Sequence, residues 1–378
     1  MKKRILFVLP SYEIGGTTKS LYSLLSMIDP ERLDVDVFAT HNTGPYKGKM
    51  PNCIELPMNI WLSYPYVGGN FFIISFQTIV YGIRFFLSKI HINSLPLIHW
   101  IGGKSLQTEK YDAVVSFSEG LAYTVSAFPA KKLIQWIHCD YKRHLEWNNS
   151  SFERYAYRRY DKIVCVSEFA KRVFDEIFPE FSNKSIAIHN VINVEDIVAK
   201  SKDDSDLDSR FDSNQFTIVS VGRLDPVKQF ILIPEIVAKL KKLSDRDFKW
   251  YIIGGGFPEE REKIEIKIRN FGLHENIYLL GQKTNVYPYI MRADLYVNTS
   301  ISEAYSIVNN EAKALQIPVV TNNFECVYET IINNIDGVII PIENMAEEIA
   351  TIINTNKTYM ITSIDNQEAL RKIYNLFI

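Results

Sequence analysis

The chain has 378 residues, a formal net charge of −2 and a hydrophobic fraction of 47%. This length suits two α/β domains, and the composition is that of a globular protein with a sizeable core. The small net charge gives no electrostatic basis for nucleic-acid binding. The four cysteines lie far apart, with neither a CxxC pair nor the spacing of a zinc site, so a cytosolic, reduced protein is expected.

The first apolar run, in MKKRILFVLP, follows a short basic start. It is shorter than the hydrophobic region of about seven to fifteen residues that a secretory signal needs. A glycine-containing loop, SYEIGG, follows it in place of a cleavage site. The sequence therefore predicts a buried first strand and no signal peptide at this position.

Short β-rich runs alternate with helical stretches twice along the chain. In the first half the predicted strands are 4–9, 33–40, 112–117, 132–137, 162–166 and 185–188, with helices at 17–27 and 168–178. In the second half they are 216–221, 248–253, 277–280, 295–298, 318–321 and 337–340, with helices at 227–243 and 366–377. Strands that are apolar throughout are typical of a parallel sheet covered on both faces.

A polar, acidic stretch at 200–214 separates the two repeats and has the composition of an exposed linker. The predicted organisation is an N-terminal domain at 1–203 and a C-terminal domain at 204–362. A C-terminal helix follows within 363–378, with the N-terminal domain as its candidate packing partner. The fold class is α/β, with two doubly wound, Rossmann-like domains facing each other across a cleft that binds ligands.

The segment at about 60–101 interrupts the alternation and is rich in aromatic residues. On a helix, Gln77, Arg84 and Ser88 form one polar stripe, and the rest of the surface is broadly apolar. Three arrangements stay open: packing within the N-terminal domain, a helix in the membrane interface, and a membrane span. The apolar part is short for a span of about 20 residues.

Positive charges accompany this segment. Arg84, Lys89 and Lys104 would suit anionic lipid head groups. A second basic cluster follows at 154–162, and for this cluster a solvated helix face is the alternative interpretation.

Gly222, Arg223 and Lys228 follow the first strand of the second half. The glycine permits a sharp turn, and the helix at 227–243 would place Lys228 one turn beyond the strand. An arginine and a lysine at this edge can converge on a diphosphate and neutralise the charge that develops as it leaves. The alternative is a turn glycine followed by two solvated cations.

Glu303 and Glu311 are eight residues apart, so on one continuous helix they would point about 80° apart. If the helix begins near Ser306, Glu303 lies on the preceding loop and Glu311 in the second turn. The backbone amides of 304–307 then lie between the two carboxylates, where a helix start can bind phosphate oxygens. Ordinary helix glutamates are the alternative interpretation.

Two other motifs are misleading. GGTTKS, at 15–20, lacks the glycine before lysine that a P-loop needs, and a glycine loop with Thr17 or Thr18 capping a helix is expected instead. Asp34 and Asp36 imitate a metal-binding pair, but they lie in an alternating LDVDVF run. Outward-facing polar residues on an edge strand explain them.

The ordered set of motifs resembles the retaining GT-B glycosyltransferases with an E-x7-E pair, a family-4-like group also called glycosyl transferases group 1. The resemblance spans nearly the whole chain. Its pieces are Gly15-Gly16, His138, Ser167, the run 189–193, Gly222-Arg223, Lys228, the glycines at 254–256, Gly281, Glu303 with Glu311, the run 318–320, Glu329 and Gly337.

The resemblance implies a role for each of these sites. Arg223 and Lys228 would contact the donor diphosphate, Glu311 the ribose and Glu303 the donor sugar. Gly16 would let the first loop approach the donor, and His138 would lie beside the reacting sugar. The implied catalytic residues are His138, Glu303, Arg223 and Lys228. The implied donor-binding residues are Gly15, Gly16, Gly222, Arg223, Lys228, Gly255, Glu303, Ala304, Tyr305, Ser306, Ile307 and Glu311.

Members of this group need neither a metal nor another cofactor, so none is expected here. Asp140 is a further candidate base or nucleophile, with helix capping as the alternative role for a carboxylate at a strand end. Ala304 and Ser306 stand where many relatives have glycine, which leaves the identity of the donor sugar open.

The implied reaction transfers a hexose or N-acetylhexosamine, with retention of configuration, from a nucleotide-sugar donor, with UDP favoured. The expected acceptor is a membrane-lipid-linked saccharide of bacterial capsule, exopolysaccharide or lipopolysaccharide synthesis. The enzyme is expected in the cytoplasm, peripherally bound to the inner face of the membrane, with no nucleic-acid partner. The alternatives are a nucleotide-sugar epimerase or hydrolase on the same fold, and a non-catalytic sugar-nucleotide-binding subunit.

Overall fold

The computed structural model describes residues 2–63, 71–89, 94–146 and 150–377. It divides into two compact units. The first consists of Met1–Val191 together with Asn366–Ile378, and the second of Ile192–Asp365. Each unit is built around its own parallel sheet.

The first unit contains a seven-stranded sheet whose order is β3-β2-β1-β4-β5-β6-β7. Its strands are β1 (Lys3–Ser11), β2 (Leu33–His41), β3 (Ile54–Glu55), β4 (Ala113–Ser116), β5 (Leu133–Ile137), β6 (Lys162–Cys165) and β7 (Ser185–Ala187). Its helices are α1 (Gly16–Met27), α2 (Phe71–Lys89), α3 (Leu95–Ser105), α4 (Ala122–Ser126), α5 (Tyr141–Leu145), α6 (Ser150–Tyr157) and α7 (Glu168–Ile177). All six strands predicted for this half are confirmed, and β1, β4 and β5 are the apolar runs that are buried most completely.

The short strand β3 was not predicted, and its presence bears on the prediction that Asp34 and Asp36 face outward on an edge strand. Because β3 pairs with β2, β2 is not an edge strand among the described residues. Asp36 is buried, and it accepts hydrogen bonds from Arg4 Nη2 at 3.1 Å and from the Tyr111 hydroxyl. The edge-strand explanation was therefore wrong for Asp36, whose carboxylate is held by an arginine and a tyrosine.

The second unit contains a six-stranded parallel sheet whose order is β10-β9-β8-β11-β12-β13. Its helices are α8 (Val194–Lys200), α9 (Ile233–Leu243), α10 (Pro258–Phe271), α11 (Tyr287–Met291), α12 (Ile307–Ala314) and α13 (Met345–Thr355). Its strands are β8 (Phe216–Val221), β9 (Phe248–Ile253), β10 (Ile277–Gly281), β11 (Leu295–Asn298), β12 (Val319–Thr321) and β13 (Gly337–Ile339). The order reverses between β8 and β11, and in open α/β sheets such a switch point is where ligands bind.

The acidic stretch at 200–214 is anchored to the second unit. Asp204 pairs with Arg292 at 2.6 Å, Asp208 with Lys283 at 3.1 Å, and Asp212 with Lys249 at 2.7 Å. The preceding helix α8 packs against α11 and α12. The division between the units falls at residue 192, upstream of the predicted 203/204 boundary, so the exposed acidic stretch lies within the second unit.

The closing helix α14 (Gln367–Phe377) belongs to the first unit. The Tyr374 hydroxyl accepts a hydrogen bond from the Asp29 N–H at 2.7 Å, and Lys132 Nζ donates to the Leu376 carbonyl at 2.6 Å. The Phe377 ring lies 6.0 Å from that of Phe7, on β1. The N-terminal half thus supplies the packing partner of this helix.

Helix α2 directs a polar residue inward and apolar residues outward. Gln77 is 5% exposed and donates through Nε2 to the carbonyls of Ile60 at 3.3 Å and Ser63 at 2.5 Å. Five large apolar side chains on this helix are exposed: Phe71, Phe72, Ile79, Ile83 and Phe86. Of the predicted polar stripe, Gln77 therefore faces inward, and the side chains of Arg84 and Ser88 lie outside the described part of the structure. Within the described ranges, no helix is both long and apolar enough to cross a membrane.

Candidate functional site

The loop after β8 carries the candidate diphosphate contacts. Lys228 lies in a short 3-10 turn, Pro226–Lys228, in which Asp225 accepts a hydrogen bond from the Lys228 N–H at 3.1 Å. Gln229 then adopts a left-handed conformation with φ 52°, and α9 begins only at Ile233. The predicted helix at 227–243 was therefore wrong in its first turns, because the left-handed residue interrupts it.

The glycines at 254–256 form a tight contact with this loop. The Leu224 N–H donates to the Gly255 carbonyl at 2.7 Å, and the Gly222 N–H donates to the Ile253 carbonyl at 3.0 Å. A Cβ atom on Gly254 would lie 1.7 Å from the Gly222 carbonyl oxygen. Only glycine permits this approach, so the glycine loop fixes the backbone on which Arg223 stands.

Lys228 and Glu303 form an ion pair. Lys228 Nζ lies 2.5 Å from Glu303 Oε1, and both side chains are largely buried. The buried Ser300 hydroxyl donates to the same carboxylate oxygen at 2.9 Å. The Thr299 hydroxyl donates to the Lys228 carbonyl at 2.6 Å, which joins the Lys228 turn to the loop after β11. The structure thus brings together two residues that are 75 positions apart in sequence.

Helix α12 begins where the sequence predicts. Ser306 is its N-cap, and the Ser306 hydroxyl accepts a hydrogen bond from the Asn309 N–H at 3.4 Å. Glu303 therefore lies on the preceding loop, and Glu311 lies in the second turn of the helix. Burial raises the pKa of the Tyr296 phenol, and the charges of Glu303 and Glu311 both raise it further. Both carboxylates therefore act electrostatically on the same buried phenol of β11.

Sequence reasoning missed Tyr287, which holds Glu311. The Tyr287 hydroxyl donates to Glu311 Oε1 at 2.9 Å, and Glu311 is only 2% exposed. Asn298 is a second missed residue, since its side-chain NH2 group donates to Asn309 at 3.0 Å and its side-chain oxygen accepts from the Ser300 N–H at 3.0 Å. No periodicity or spacing marks either residue, because both act through contacts between different elements.

The remaining predicted donor contacts differ in exposure. Arg223 is the most open, with a side chain that is 77% exposed and an ion pair to Asp225 at 3.2 Å. Ala304 is buried, while Tyr305 and Ile307 are half-buried. Ala304 lies on the loop between Glu303 and the N-cap, so its methyl group occupies space that a glycine would leave open.

His138 lies directly after β5 in the first unit. Its backbone N–H donates to Glu119 Oε2 at 3.1 Å, and its ring centroid lies 4.7 Å from that of Phe117. Burial lowers the pKa of the His138 imidazole to about 3, so the ring is neutral at physiological pH. The nearby Asp140 caps α5 by accepting from the Lys142 N–H at 3.0 Å, which is the alternative role foreseen for it.

Gly15 and Gly16 form the start of α1. Gly15 is the N-cap in an extended conformation, and it supplies no side-chain cap. Thr17 and Thr18 lie inside the helix, and the Thr18 hydroxyl donates to the Ser11 carbonyl at 3.4 Å. The expected capping by Thr17 or Thr18 was therefore wrong, because the helix begins one residue earlier.

The second unit offers two cations, two carboxylates and a helix start at one end of its sheet. The Lys228 ammonium and the Arg223 guanidinium can neutralise phosphate oxygens, and the first amides of α12 can donate to an anion. A carboxylate such as that of Glu311 can accept hydrogen bonds from vicinal hydroxyl groups. This set of groups suits a ligand that combines a diphosphate with sugar rings.

Family comparisons agree with this geometry. The family described as "Glycosyl transferases group 1" matches residues 201–366, and the family described as "Glycosyltransferase Family 4" matches residues 14–196. The two matches follow the two structural units closely.

Curated relatives have glycosyltransferase names. An uncharacterized glycosyltransferase of Methanocaldococcus jannaschii is 27% identical over 229 residues, 58% of each chain. The Campylobacter jejuni N-acetylgalactosamine-N,N'-diacetylbacillosaminyl-diphospho-undecaprenol 4-alpha-N-acetylgalactosaminyltransferase is 29% identical over 164 residues, 43% of this chain and 42% of that protein. The matched regions thus span about half the length of these relatives.

Solved structures share the architecture over almost the whole chain. Anabaena HepE, crystallised with UDP and glucose, matches with a TM-score of 0.70 at 18% identity, over 98% of each chain. Staphylococcus aureus TarM matches with a TM-score of 0.73 at 13% identity, over 99% of each chain. With two parallel-sheet α/β units and a family match to each, this chain belongs to the family-4-like GT-B glycosyltransferases.

Proposed function

We propose that this protein transfers a hexose or N-acetylhexosamine from a nucleotide-sugar donor to a saccharide acceptor, with retention of configuration. The observation that carries the proposal is the pairing of Lys228 with Glu303 beside Glu311, at the switch point of the second sheet. The structural neighbour HepE was crystallised with UDP, which supports UDP as the nucleotide. Because Ala304 and Ser306 stand where many relatives have glycine, the donor sugar is to be identified by testing a panel of nucleotide-sugars.

Each charged group has a proposed task. When the donor binds, the Lys228 ammonium leaves Glu303 and pairs with the donor diphosphate. Arg223 contacts the same phosphates from the exposed side. Glu311, held by Tyr287, accepts hydrogen bonds from the ribose hydroxyls, while Glu303 contacts the donor sugar. The roles of His138, Gly15, Gly16 and Gly255 stay predictions from the family resemblance.

The reaction needs charge stabilisation rather than a protein nucleophile. As the bond from the sugar to the diphosphate breaks, negative charge builds on the leaving phosphate, and the two cations stabilise it. The leaving phosphate takes the proton of the acceptor hydroxyl, which attacks from the same face. Donor binding is proposed to be independent of metal, so chelation by EDTA should leave the donor affinity unchanged.

Substitution of Glu311 and Arg223 tests the assignment. Glu311→Gln and Arg223→Ala should each lower transfer about 10- to 100-fold, because each removes charge-assisted hydrogen bonds of about 1.5–3 kcal/mol. Product formation with radiolabelled donor and extracted lipid acceptor measures the effect, with circular dichroism as the folding control. Turnover at the wild-type rate in both variants would reject the proposal.

An epimerase or hydrolase would behave differently in the same assay. Mass analysis of donor incubated without acceptor would show conversion of the donor alone, whereas a transferase leaves it largely intact. A non-catalytic subunit would bind the donor and yield no product with any lipid extract.

The exposed apolar face of α2 supports a membrane-lipid-linked acceptor. Phe72 is 81% exposed and Phe86 66% exposed, and with Ile79 they lie within a sector of about 40°. Such a face, with Lys89 at the helix end, suits a helix lying in the interface of an anionic membrane. The Campylobacter relative, whose name specifies a diphospho-undecaprenol acceptor, supports the same class of acceptor.

Further exposed aromatic and basic residues lie on α3, on α6 and just after α6. Trp100 on α3 and Phe152 and Tyr155 on α6 are exposed, and Tyr123 contacts both α6 rings at 5.7 and 6.3 Å. Exposed arginines follow just after this helix, at 158 and 159. We propose that this face binds the cytoplasmic leaflet of the membrane in capsule, exopolysaccharide or lipopolysaccharide synthesis.

Vesicle binding tests the membrane face. Phe72→Glu/Phe86→Glu should lower the partition coefficient on phosphatidylglycerol vesicles by at least about 10-fold, since each buried phenylalanine contributes about 1.5–3 kcal/mol. Ile54→Glu is the matched control, because Ile54 is 63% exposed on β3, outside this face. Equal partitioning of the double variant and the control would contradict the proposal.

A further inference from the structure

Three potential metal ligands converge beside His138 in the first unit. Glu119 follows β4, Cys139 follows β5 and His144 lies on α5, and each offers one ligand atom. These atoms lie within 4.8 Å of one another, and all three residues are partly exposed. The ligands are widely spaced in sequence, so spacing rules for zinc sites could not detect them.

His144 is hydrogen-bonded to a carboxylate, as the histidine ligands of metal sites commonly are. His144 Nε2 lies 2.6 Å from Glu153 Oε1, and a carboxylate on one ring nitrogen typically orients a ligating histidine through the other. The second oxygen of Glu153, Oε2, is buried and has no hydrogen-bond partner among the described residues. A carboxylate in this state is better tolerated if positive charge is nearby.

Negative charge is in excess around Cys139. Glu119, Glu153 and Asp140 all act electrostatically on this thiol. The nearest basic side chains of α5 are engaged elsewhere, since Lys142 pairs with Glu176 at 3.1 Å and Arg143 with Glu146 at 3.2 Å. A divalent cation would neutralise this local excess.

We propose that Glu119, Cys139 and His144 bind a zinc ion. A thiolate, an imidazole and a carboxylate form a donor set that favours zinc over magnesium or calcium. With zinc–ligand bonds of about 2.0–2.3 Å, tetrahedral ligands lie about 3.5 Å apart, so side-chain adjustments of about 1 Å would close the site. Three protein ligands leave the fourth position for water.

The site ties the loops after β4 and β5 to α5, at the position of His138. It departs from the expectation that the chain binds no metal, but it concerns the first unit alone. The proposed diphosphate contacts of the second unit do not involve this site. The inference does not rest on the proposed function, because zinc binding is measured without donor or acceptor.

Metal analysis of the full chain tests the proposal. After gel filtration, wild-type protein loaded with zinc should retain about one equivalent, and the cobalt-substituted form should show thiolate-to-cobalt charge-transfer absorption in the near ultraviolet. Cys139→Ser should lose both signals. Cys53→Ser is the matched control, since Cys53 is also a half-exposed thiol of the first unit, and it should lose neither.

A folding check separates ligand loss from misfolding. Wild type and Cys139→Ser should unfold at the same temperature in EDTA, and only wild type should gain stability with zinc. Glu119→Gln, whose amide oxygen still accepts the His138 N–H, should also weaken zinc retention. No zinc in wild type, or full retention by Cys139→Ser, would overturn the proposal.

Discussion

Replacing Lys228 with alanine is expected to lower kcat/KM for the nucleotide-sugar donor by about 10²–10³-fold, the loss typical of one preorganised charge-stabilising donor. The backbone of Lys228 is already fixed, because its N–H donates to Asp225 and its carbonyl accepts from Thr299. The ammonium group lies in a largely buried position, where a charge interacts more strongly than in water. Steady-state transfer kinetics measure the effect.

Lys267→Ala provides the matched control. Lys267 pairs with Glu235 at 2.5 Å on the same unit, but this pair lies on the helix surface. Its removal should leave kcat/KM within about twofold, because surface ion pairs contribute about 1 kcal/mol or less. If Lys228→Ala retained the kinetics of Lys267→Ala, Lys228 would have no part in stabilising the leaving diphosphate.

Replacing Asp336 with alanine is expected to destabilise the second unit by about 3–5 kcal/mol, the usual cost of removing one member of a buried ion pair. Asp336 is fully buried, and its Oδ2 lies 2.8 Å from Lys313 Nζ. Its two oxygens also accept hydrogen bonds from the N–H groups of Ile332 at 2.9 Å and Thr362 at 2.7 Å. The variant would leave the Lys313 ammonium buried without its carboxylate.

Urea unfolding, followed by hydrogen-exchange mass spectrometry of second-unit peptides, measures this loss. Glu347→Ala is the control, because its pair with Lys239 is half-exposed and should contribute little to stability. Adding Lys313→Met to the Asp336 variant should recover part of the stability by removing the uncompensated charge. Equal stability of the Asp336 and Glu347 variants would contradict this account.

Asp336 also predicts a pH dependence. Burial by itself would raise the pKa of this carboxyl, but Lys313 and the surrounding hydrogen bonds hold it below its usual value. Because the folded pKa lies below the unfolded value of about 3.9, the stabilisation is complete above that range and is lost as the pH falls through the folded pKa. Below about pH 4 the unfolding free energy should fall more steeply for wild type than for Asp336→Ala.

The strands could be predicted from sequence because they are buried on both faces. The prediction of β8, at 216–221, matches the structure at both ends, since a continuous apolar run bounded by polar residues leaves few alternatives. The start of α12 was predictable for a local reason as well. A serine N-cap at Ser306 follows from the preference of its side chain for the first amides of a helix.

Other features depend on contacts between distant residues, and local patterns could not reveal them. Gln229 has a left-handed backbone that its residue type does not favour, so the break in the 227–243 helix has no sequence signature. Gln77 lies inward because two carbonyl groups of another segment accept its hydrogen bonds. Tyr287 reaches Glu311 from a different helix, a contact that only the tertiary structure creates.

The central claim is that the second unit binds a nucleotide-sugar diphosphate. Thermal unfolding against a panel of UDP-, GDP- and ADP-sugars tests it directly, because a ligand that binds only the folded state raises the unfolding temperature. We expect a UDP-sugar to stabilise the wild-type chain and to lose most of this effect in Glu311→Gln. No shift with any member of the panel, or an equal shift in the variant, would contradict the claim.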